Sequence, residues 1–303
     1  MMLNERLKST NHQVLAALSP RMTLPKDSYI YFNNLKKGYE GECKFDELCE
    51  KYLPPEWFVL RNLHYTLKGT DFQIDSILIS QYNLILVDIK NFENDYYIKD
   101  GNWYTLSQHQ ISNPIAQKER IAILFQDLLN HFSSNLLVET YLLFINPAFT
   151  LYQAPIDSSL ILPTQINRFM KTLNEKPIKL SESHHKLAEF LLSNQTSDKK
   201  HKCIPEHRYD MLKKGITCEV CNNFMKLSSK RSYLKCTSCG CEEKVEKAFI
   251  RNVLQYRVLF PEKAITTNNL VDWCEVLSDR TVSGLLRSNY KFIGHGKSVQ
   301  YLV

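Results

Sequence analysis

Apolar and polar positions alternate most clearly between residues 71 and 91. Asp71-Phe72-Gln73-Ile74-Asp75 leads into the apolar run Ile74–Ile79, and Leu84–Ile89 leads into Lys90-Asn91. Alternate residues of a strand share a face. Asp71, Gln73 and Asp75 are therefore expected on one face of a first strand, and Asp88 and Lys90 on one face of a second. Phe72, Ile74, Val87 and Ile89 are expected to point the other way, into a core. Only Ser80-Gln81-Tyr82-Asn83 lies between the runs, which predicts a hairpin and brings Asp75, Asp88 and Lys90 onto neighbouring strands.

Around this hairpin, Glu42–Lys51 predicts a helix stopped by Pro54-Pro55, and Phe58–Tyr65 predicts a strand. Tyr96–Ile98 and Trp103–Leu106 read as short strands about an Asp100-Gly101 turn. Asn113 caps a helix with Pro114 at its first position, and Ile121, Leu124, Phe125, Leu128 and Leu129 give it an apolar stripe. Thr140–Ile145 is a further core strand, so the order is helix, three strands, helix, strand. Residues 1–35 read as a helical arm, with Leu15, Leu18 and Met22 at helical spacing and breaks at Pro20 and Pro25. The arm is expected to pack onto the domain that follows. Beyond residue 150 come a strand candidate, Leu160–Leu162, and two helices.

The polar stretch Asn194–Asp198 precedes Lys199-Lys200-His201-Lys202 and marks a boundary. Near the end, Thr267–Leu277 predicts a helix, and Ser278 caps a second that carries Asp279, Arg280, Thr281, Ser283 and Arg287. Lys291–Ile293 and Ser298–Leu302 then form a hairpin across Gly294-His295-Gly296-Lys297. Two helices and a hairpin resemble a winged-helix or helix-turn-helix module, with Arg280 and Arg287 as candidate DNA contacts. The expected domains are 1–35, 36–195, 196–250 and 251–303.

Composition narrows the class. The chain of 303 residues is 44% hydrophobic and 23% charged, as in ordinary globular proteins. No apolar run is long enough to span a membrane, and Met1–Lys8 is too polar for a secretory signal. Nine cysteines, an odd count, read as a reducing, cytoplasmic setting rather than a disulfide framework. There is no GxSxG elbow and no GxxxxGK[ST] phosphate loop, which argues against serine hydrolase and ATPase chemistry. Of the net charge of +6, residues 199–251 hold 13 Lys and Arg against 6 Asp and Glu. That excess points to an anionic partner, nucleic acid above all; a solvated linker face is the plainer account.

Cys218-Glu219-Val220-Cys221 and Cys236-Thr237-Ser238-Cys239 are separated by 14 residues. Each pair places two thiolates on one tight turn, and two such turns complete a tetrahedron around Zn²⁺. Four thiolates leave no open position for catalysis, so the ion would be structural; Cys241 is an alternative to Cys239 as the fourth ligand. Lys226, Lys230, Arg231 and Lys235, with Phe224 and Tyr233, could contact a nucleic acid, and protein docking is the competing role.

The paired acids and lysine carry their own chemistry. Charges on a sheet face are costly unless paired or bound to a cation. Asp75, Asp88 and Lys90 suit metal-assisted phosphodiester hydrolysis, and suit equally a surface ion pair on an ordinary hairpin.

The motifs resemble the PD-(D/E)xK nuclease core, with Asp75 as the first acid and Asp88-Ile89-Lys90 as the (D/E)xK element. The ordered set Gly38-Tyr39-Glu40-Gly41-Glu42 at a helix start, Phe72-Gln73-Ile74-Asp75-Ser76, Asp88-Ile89-Lys90-Asn91 and Asn113-Pro114-Ile115-Ala116-Gln117 resembles the nuclease-related domain (NERD) family of bacterial proteins, over residues 36–150. The resemblance implies an α/β restriction-endonuclease-like core, a mixed sheet flanked by helices, followed by a zinc-ribbon-like segment; the small winged-helix-like module read from the C-terminal helices and hairpin completes the expected fold. It implies Asp75 and Asp88 as ligands of Mg²⁺ or Mn²⁺, Glu42 as a further ligand or water-orienting group, Lys90 as the catalytic lysine and Gln117 as support. The family often has Glu where this chain has Asp88, one methylene shorter; Glu40 and Asp71 are nearby acids. The expected function is a metal-dependent DNA endonuclease, with RNA as the other substrate the fold permits. Paired cuts in a duplex favour a homodimer or a protein partner. The alternative is a non-catalytic nucleic-acid-binding or regulatory protein that keeps the fold.

Overall fold

The computed structural model describes residues 1–132, 134–196, 203–295 and 299–302. The chain divides into two compact units, the first formed by Met1–Lys8 and Asn34–Asp198, the second by Ser9–Asn33 and Lys199–Val303. Helix α1 (Thr10–Leu18) belongs to the second unit, and helix α2 (Lys26–Tyr52) begins there and gives most of its length to the first. Among the described residues, no helix is long and apolar enough to cross a membrane.

In the first unit, β1 (Phe58–Leu67), β2 (Thr70–Ile79) and β3 (Asn83–Lys90) form the antiparallel half of a sheet. A four-stranded side sheet follows, from β4 (Asn94–Lys99), β5 (Asn102–Thr105) and β6 (Gln110–Ile111), joined later by β8 (Phe149–Tyr152). Asp100-Gly101 makes the β4–β5 turn with φ of 50° and 76°, the paired left-handed geometry that a two-residue hairpin loop requires. Helix α3 (Pro114–Leu129) then leads into β7 (Leu137–Phe144), which lies parallel to β3, and β9 (Leu160–Ile161) closes the sheet in the order β1-β2-β3-β7-β9. Helices α4 (Ile166–Asn174) and α5 (Glu182–Ser193) complete the unit. Ile77, Ile79, Leu84 and Leu86 pack with Phe125 and Leu128 of α3 and Leu187 and Leu191 of α5. Leu78, Ile85, Val87 and Ile89 pack with Phe45 of α2 and Phe169, Met170 and Leu173 of α4. The core is thus a mixed sheet covered by helices on both faces.

Three expectations are corrected here. Helix α2 starts at Lys26, not at Gly38 or Glu42. The glycine at 41 marks a close approach: a Cβ there would stand 2.7 Å from Cβ of Asn91, just past β3. Gly41→Ala is therefore expected to destabilise by about 1–3 kcal/mol through overpacking, although alanine is intrinsically the better helix residue by about 1 kcal/mol. Gly38→Ala, with nothing within 4 Å of the added carbon, should show the propensity gain alone; urea midpoints of the two variants test the contrast.

The second correction concerns Phe72 and Ile74. They join the α3/α5 side of the core, while Val87 and Ile89 take the opposite side. The β1–β2 hairpin outruns β3 and passes Asn62, whose φ of 53° interrupts the regular strand. Third, the arm does not pack as one piece: Ser9–Asn33 joins the second unit.

In that unit, β10 (Met225–Leu227), β11 (Tyr233–Cys236) and β12 (Glu242–Lys244) form a small antiparallel sheet. Helices α6 (Val245–Leu259), α7 (Thr267–Cys274) and α8 (Asp279–Asn289) follow, then a two-stranded pair, β13 (Lys291–Ile293) and β14 (Gln300–Leu302). Helix α7 ends at Cys274, short of the expected Leu277, because Glu275 leaves helical geometry at φ 56°. The Ser278 hydroxyl caps α8, accepting from Thr281 N–H. Residues 199–202 of the basic run and 296–298 of the terminal hairpin lie outside the described residues. Met225, Leu234 and Cys236 share one core with Val14 and Leu18 of α1 and with Phe249, Trp273 and Leu286 of the later helices. The expected ribbon and C-terminal domains are thus parts of a single core.

Candidate active site and four-cysteine cluster

The acids meet where the β2–β3 ladder ends. Its last paired residues are Ser76 and Val87, so Asp75 and Asp88 stand one step beyond. There the Ile89 N–H, which a continued ladder would give to a carbonyl, donates instead to Asp75 Oδ2 at 2.8 Å. Lys90 Nζ lies 2.8 Å from Asp88 Oδ1 and donates to Gln117 Oε1 on α3 at 3.2 Å. Asn113 sets the start of α3, accepting from the N–H groups of Ile115 and Ala116. Glu42 reaches the site from α2, and Oε2 accepts from Arg6 Nη1 at 2.7 Å. Glu42, Asp75, Asp88, Lys90 and Gln117 all line one cleft of about 730 Å³. Asp71 also lines it and accepts from Thr66 Oγ1 at 2.6 Å.

The electrostatics are those of an acid-rich pocket. Burial, then the charges of Glu42 and Asp88, hold Asp75 well above the usual carboxylate range. Burial also raises Glu42, an effect that Arg6 counters only in part. Burial works against the charge on Lys90, but Asp88, Asp75 and Glu42 outweigh it and hold its ammonium above the ordinary lysine value. Asp88 Oδ2 is buried and has no hydrogen-bond partner among the described residues. An orphaned carboxylate oxygen beside a second, crowded carboxylate is a donor set that fits a hard divalent cation.

Two residues escaped sequence reasoning. Arg120, one turn beyond Gln117, is exposed, lines the cleft and has no ion pair among the described residues; the spacing of three along α3 was a usable signal. Arg6 carried no signal, because its partners lie 36 to 70 residues away in sequence.

The four cysteines converge. The sulfurs of Cys218, Cys221, Cys236 and Cys239 lie within 4.8 Å of one another. Cys218 and Cys239 are 3.6 Å apart, and Cys221 and Cys236 3.4 Å, near the roughly 3.8 Å edge of a tetrahedron with 2.3 Å zinc–sulfur bonds. Both pairs make the same turn: Asn222 N–H donates to the Cys218 carbonyl and Gly240 N–H to the Cys236 carbonyl, each at 3.0 Å. Asn222 and Gly240 adopt φ of 60° and 76°, which asparagine and glycine tolerate best. Cys241 is not in this set; its carbonyl accepts from Cys236 N–H.

Of the expected nucleic-acid contacts, Lys226 and Lys235 face each other across β10 and β11 and are exposed. Lys235 pairs with Glu242 at 3.4 Å. Tyr233 and Lys244 are paired on β11 and β12 and share the face of Lys235, so Lys244 joins the set. Lys230 and Arg231 occupy the exposed β10–β11 turn. Phe224 is not free to stack on a base: its ring would meet a Cβ at Gly215 and lies 5.7 Å from the Arg21 guanidinium. Arg280 and Arg287 lie on α8, exposed and seven residues apart, with open space at Gly284 between them.

No curated protein and no solved structure matches the chain. The family model of the nuclease-related domain matches residues 37–145, a span that holds Glu42, Asp75, Asp88, Lys90 and Gln117. Residues 37–145 are a nuclease-related domain, and the four cysteines are compatible with a zinc-ribbon-like segment after it.

Proposed function

We propose that the protein is a metal-dependent endonuclease that hydrolyses DNA phosphodiester bonds. The orphaned Asp88 Oδ2 beside Asp75, in a cleft shared with Lys90, carries the reading. Asp75 and Asp88 would hold Mg²⁺ or Mn²⁺, with Glu42 as a third carboxylate. The ion, when bound, supplies Lewis-acid polarisation of a phosphoryl oxygen and activates water. Lys90 is held charged by its acidic neighbours. It is therefore suited to stabilising negative charge on the phosphorus oxygens, not to taking a proton. Gln117 fixes the ammonium from α3, and Arg120 offers a cation to the neighbouring phosphate.

Substrate binding is assigned to the second unit. The three helices and terminal strand pair form a winged-helix-like module, with Arg280 and Arg287 on the recognition helix. The exposed Lys226, Lys235 and Lys244 face adds backbone contacts, so binding weakens steeply with salt. The test is cleavage of supercoiled plasmid by the purified chain with Mg²⁺, Mn²⁺ or EDTA. Metal-dependent nicking supports the proposal. Retarded DNA without nicking would support the binding protein instead, and faster cleavage of competing RNA would change the substrate.

The proton competes with the metal. Asp75 is raised, so the metal-free folded state prefers its protonated form. The stability this contributes is present below the ordinary carboxylate pKa and is lost as pH rises through the raised value. A cation reverses that loss only where Asp75 is ionised. The Mn²⁺-induced rise in Tm is expected to shrink, as the pH falls, at a pH above that where ordinary carboxylates titrate, near 4. A rise that shrinks only where ordinary carboxylates titrate would oppose the assignment of Asp75.

A further inference from the structure

Arg6 stands outside the matched span, in the segment before it, yet is buried and bonded to Glu42 and Asp75, two residues that line the cleft. The segment reaches the site by pairing along β1. Leu3 N–H donates to the Val59 carbonyl at 2.9 Å, Val59 N–H to the Met1 carbonyl at 3.0 Å, and Arg61 N–H to Asn4 Oδ1 at 2.8 Å. That register delivers Arg6, only 8% exposed, between α2 and β2.

A guanidinium has five N–H donors, and here five bonds are made. Nε and Nη2 donate to the two oxygens of Asp46 at 2.7 and 2.8 Å. Nη1 donates to Glu42 Oε2 at 2.7 Å and to the Asp75 carbonyl at 3.0 Å. Nη2 also donates to Ser76 Oγ at 2.9 Å. No donor is left for a phosphate, so Arg6 does not bind substrate. Its partners fall on the two elements that carry the acids: Glu42 and Asp46 on α2, Asp75 and Ser76 on β2. It grips one oxygen of Glu42, while Oε1 accepts no hydrogen bond among the described residues.

Resting on the metal-site reading above, we propose that Arg6 is a positioning residue of that site: it locks α2 to β2 so that Glu42 Oε1 and the Asp75 carboxylate are presented together to the metal. Partners that orient a ligand commonly govern affinity by about 10- to 100-fold. Lysine cannot substitute, because a single ammonium cannot span Asp46, Glu42 and the β2 backbone.

The test is calorimetric Mn²⁺ titration of the full chain and of Arg6→Gln, Glu42→Gln and the double variant, with circular dichroism as the fold control. Arg6→Gln is expected to weaken Mn²⁺ about 10- to 100-fold. If Arg6 acts through Glu42, the double variant is no weaker than the weaker single one. Multiplying effects would make Arg6 merely structural and overturn the proposal. Unchanged or tighter binding by Arg6→Gln would also overturn it, the latter by showing that Arg6 sequesters Glu42. Should Arg6→Gln fail to fold, Arg6→Lys keeps the charge without the fork; weakened binding supports the proposal and wild-type affinity sinks it. Wild-type protein that binds no Mn²⁺ defeats the metal reading itself, whereas binding that ignores Arg6 defeats this inference alone.

Discussion

Lys90→Ala is expected to cut metal-dependent plasmid nicking by about 10²–10³-fold or more while leaving DNA retardation in a gel unchanged. The reason is placement. Lys90 is a cation held by Asp88 and Gln117 within the cleft, and it is not among the residues assigned to DNA binding. Asp75→Asn should silence nicking as well, with an added signature. Asparagine can still accept the Ile89 N–H, but it removes the charge that Glu42 and Asp88 oppose. At a pH where Asp75 is ionised, the metal-free Asp75→Asn variant should therefore melt higher than wild type, by a few degrees for each kcal/mol relieved. Loss of activity with gain of stability marks a residue kept for chemistry. Nicking at the wild-type rate in either variant would remove these residues from the mechanism.

Zinc removal should have the largest effect on stability. Zinc-finger peptides draw about 10–16 kcal/mol from the metal at neutral pH, as much as the whole stability of a typical domain, about 5–15 kcal/mol. Cys236 is fully buried in the core that also holds Phe249, Trp273 and Leu286. Its loss should therefore loosen α6–α8 as well as the β10–β12 sheet. Cys236→Ser, or a strong chelator, is expected to release one zinc per chain and expose the second unit to limited proteolysis. A zinc-free chain that resists protease as well as the untreated one would show that the cysteines need no ion.

What the sequence made legible was local. The β2–β3 hairpin, the Asn113 cap and the paired cysteine turns are written in neighbouring residues, because strand alternation, capping and knuckle geometry act over two to five positions. The placement of Asp75, Asp88 and Lys90 in one cleft followed from that hairpin. What stayed hidden depends on distant partners. The glycine at 41 reads as a helix start until Asn91 is seen against it. Leu18 and Met22 read as part of an arm for the nearest domain, since spacing shows that a face is apolar and not what covers it. Glu42 reads as a simple ligand until Arg6, 36 residues earlier, is found holding it.

The threading of the chain has a consequence for its synthesis. The core of the second unit joins Val14 and Leu18 to residues between Leu212 and Leu286, with the first unit's main stretch translated in between. At about 5–20 residues per second, helix α1 leaves the ribosome on the order of ten to forty seconds before α6 exists to cover it. During that interval its apolar face is open to chaperones or to unwanted association. The nuclease-related domain, already equipped with Arg6, can meanwhile fold. Slow translation between α1 and α6 should therefore cost yield of the second unit before it costs yield of the first.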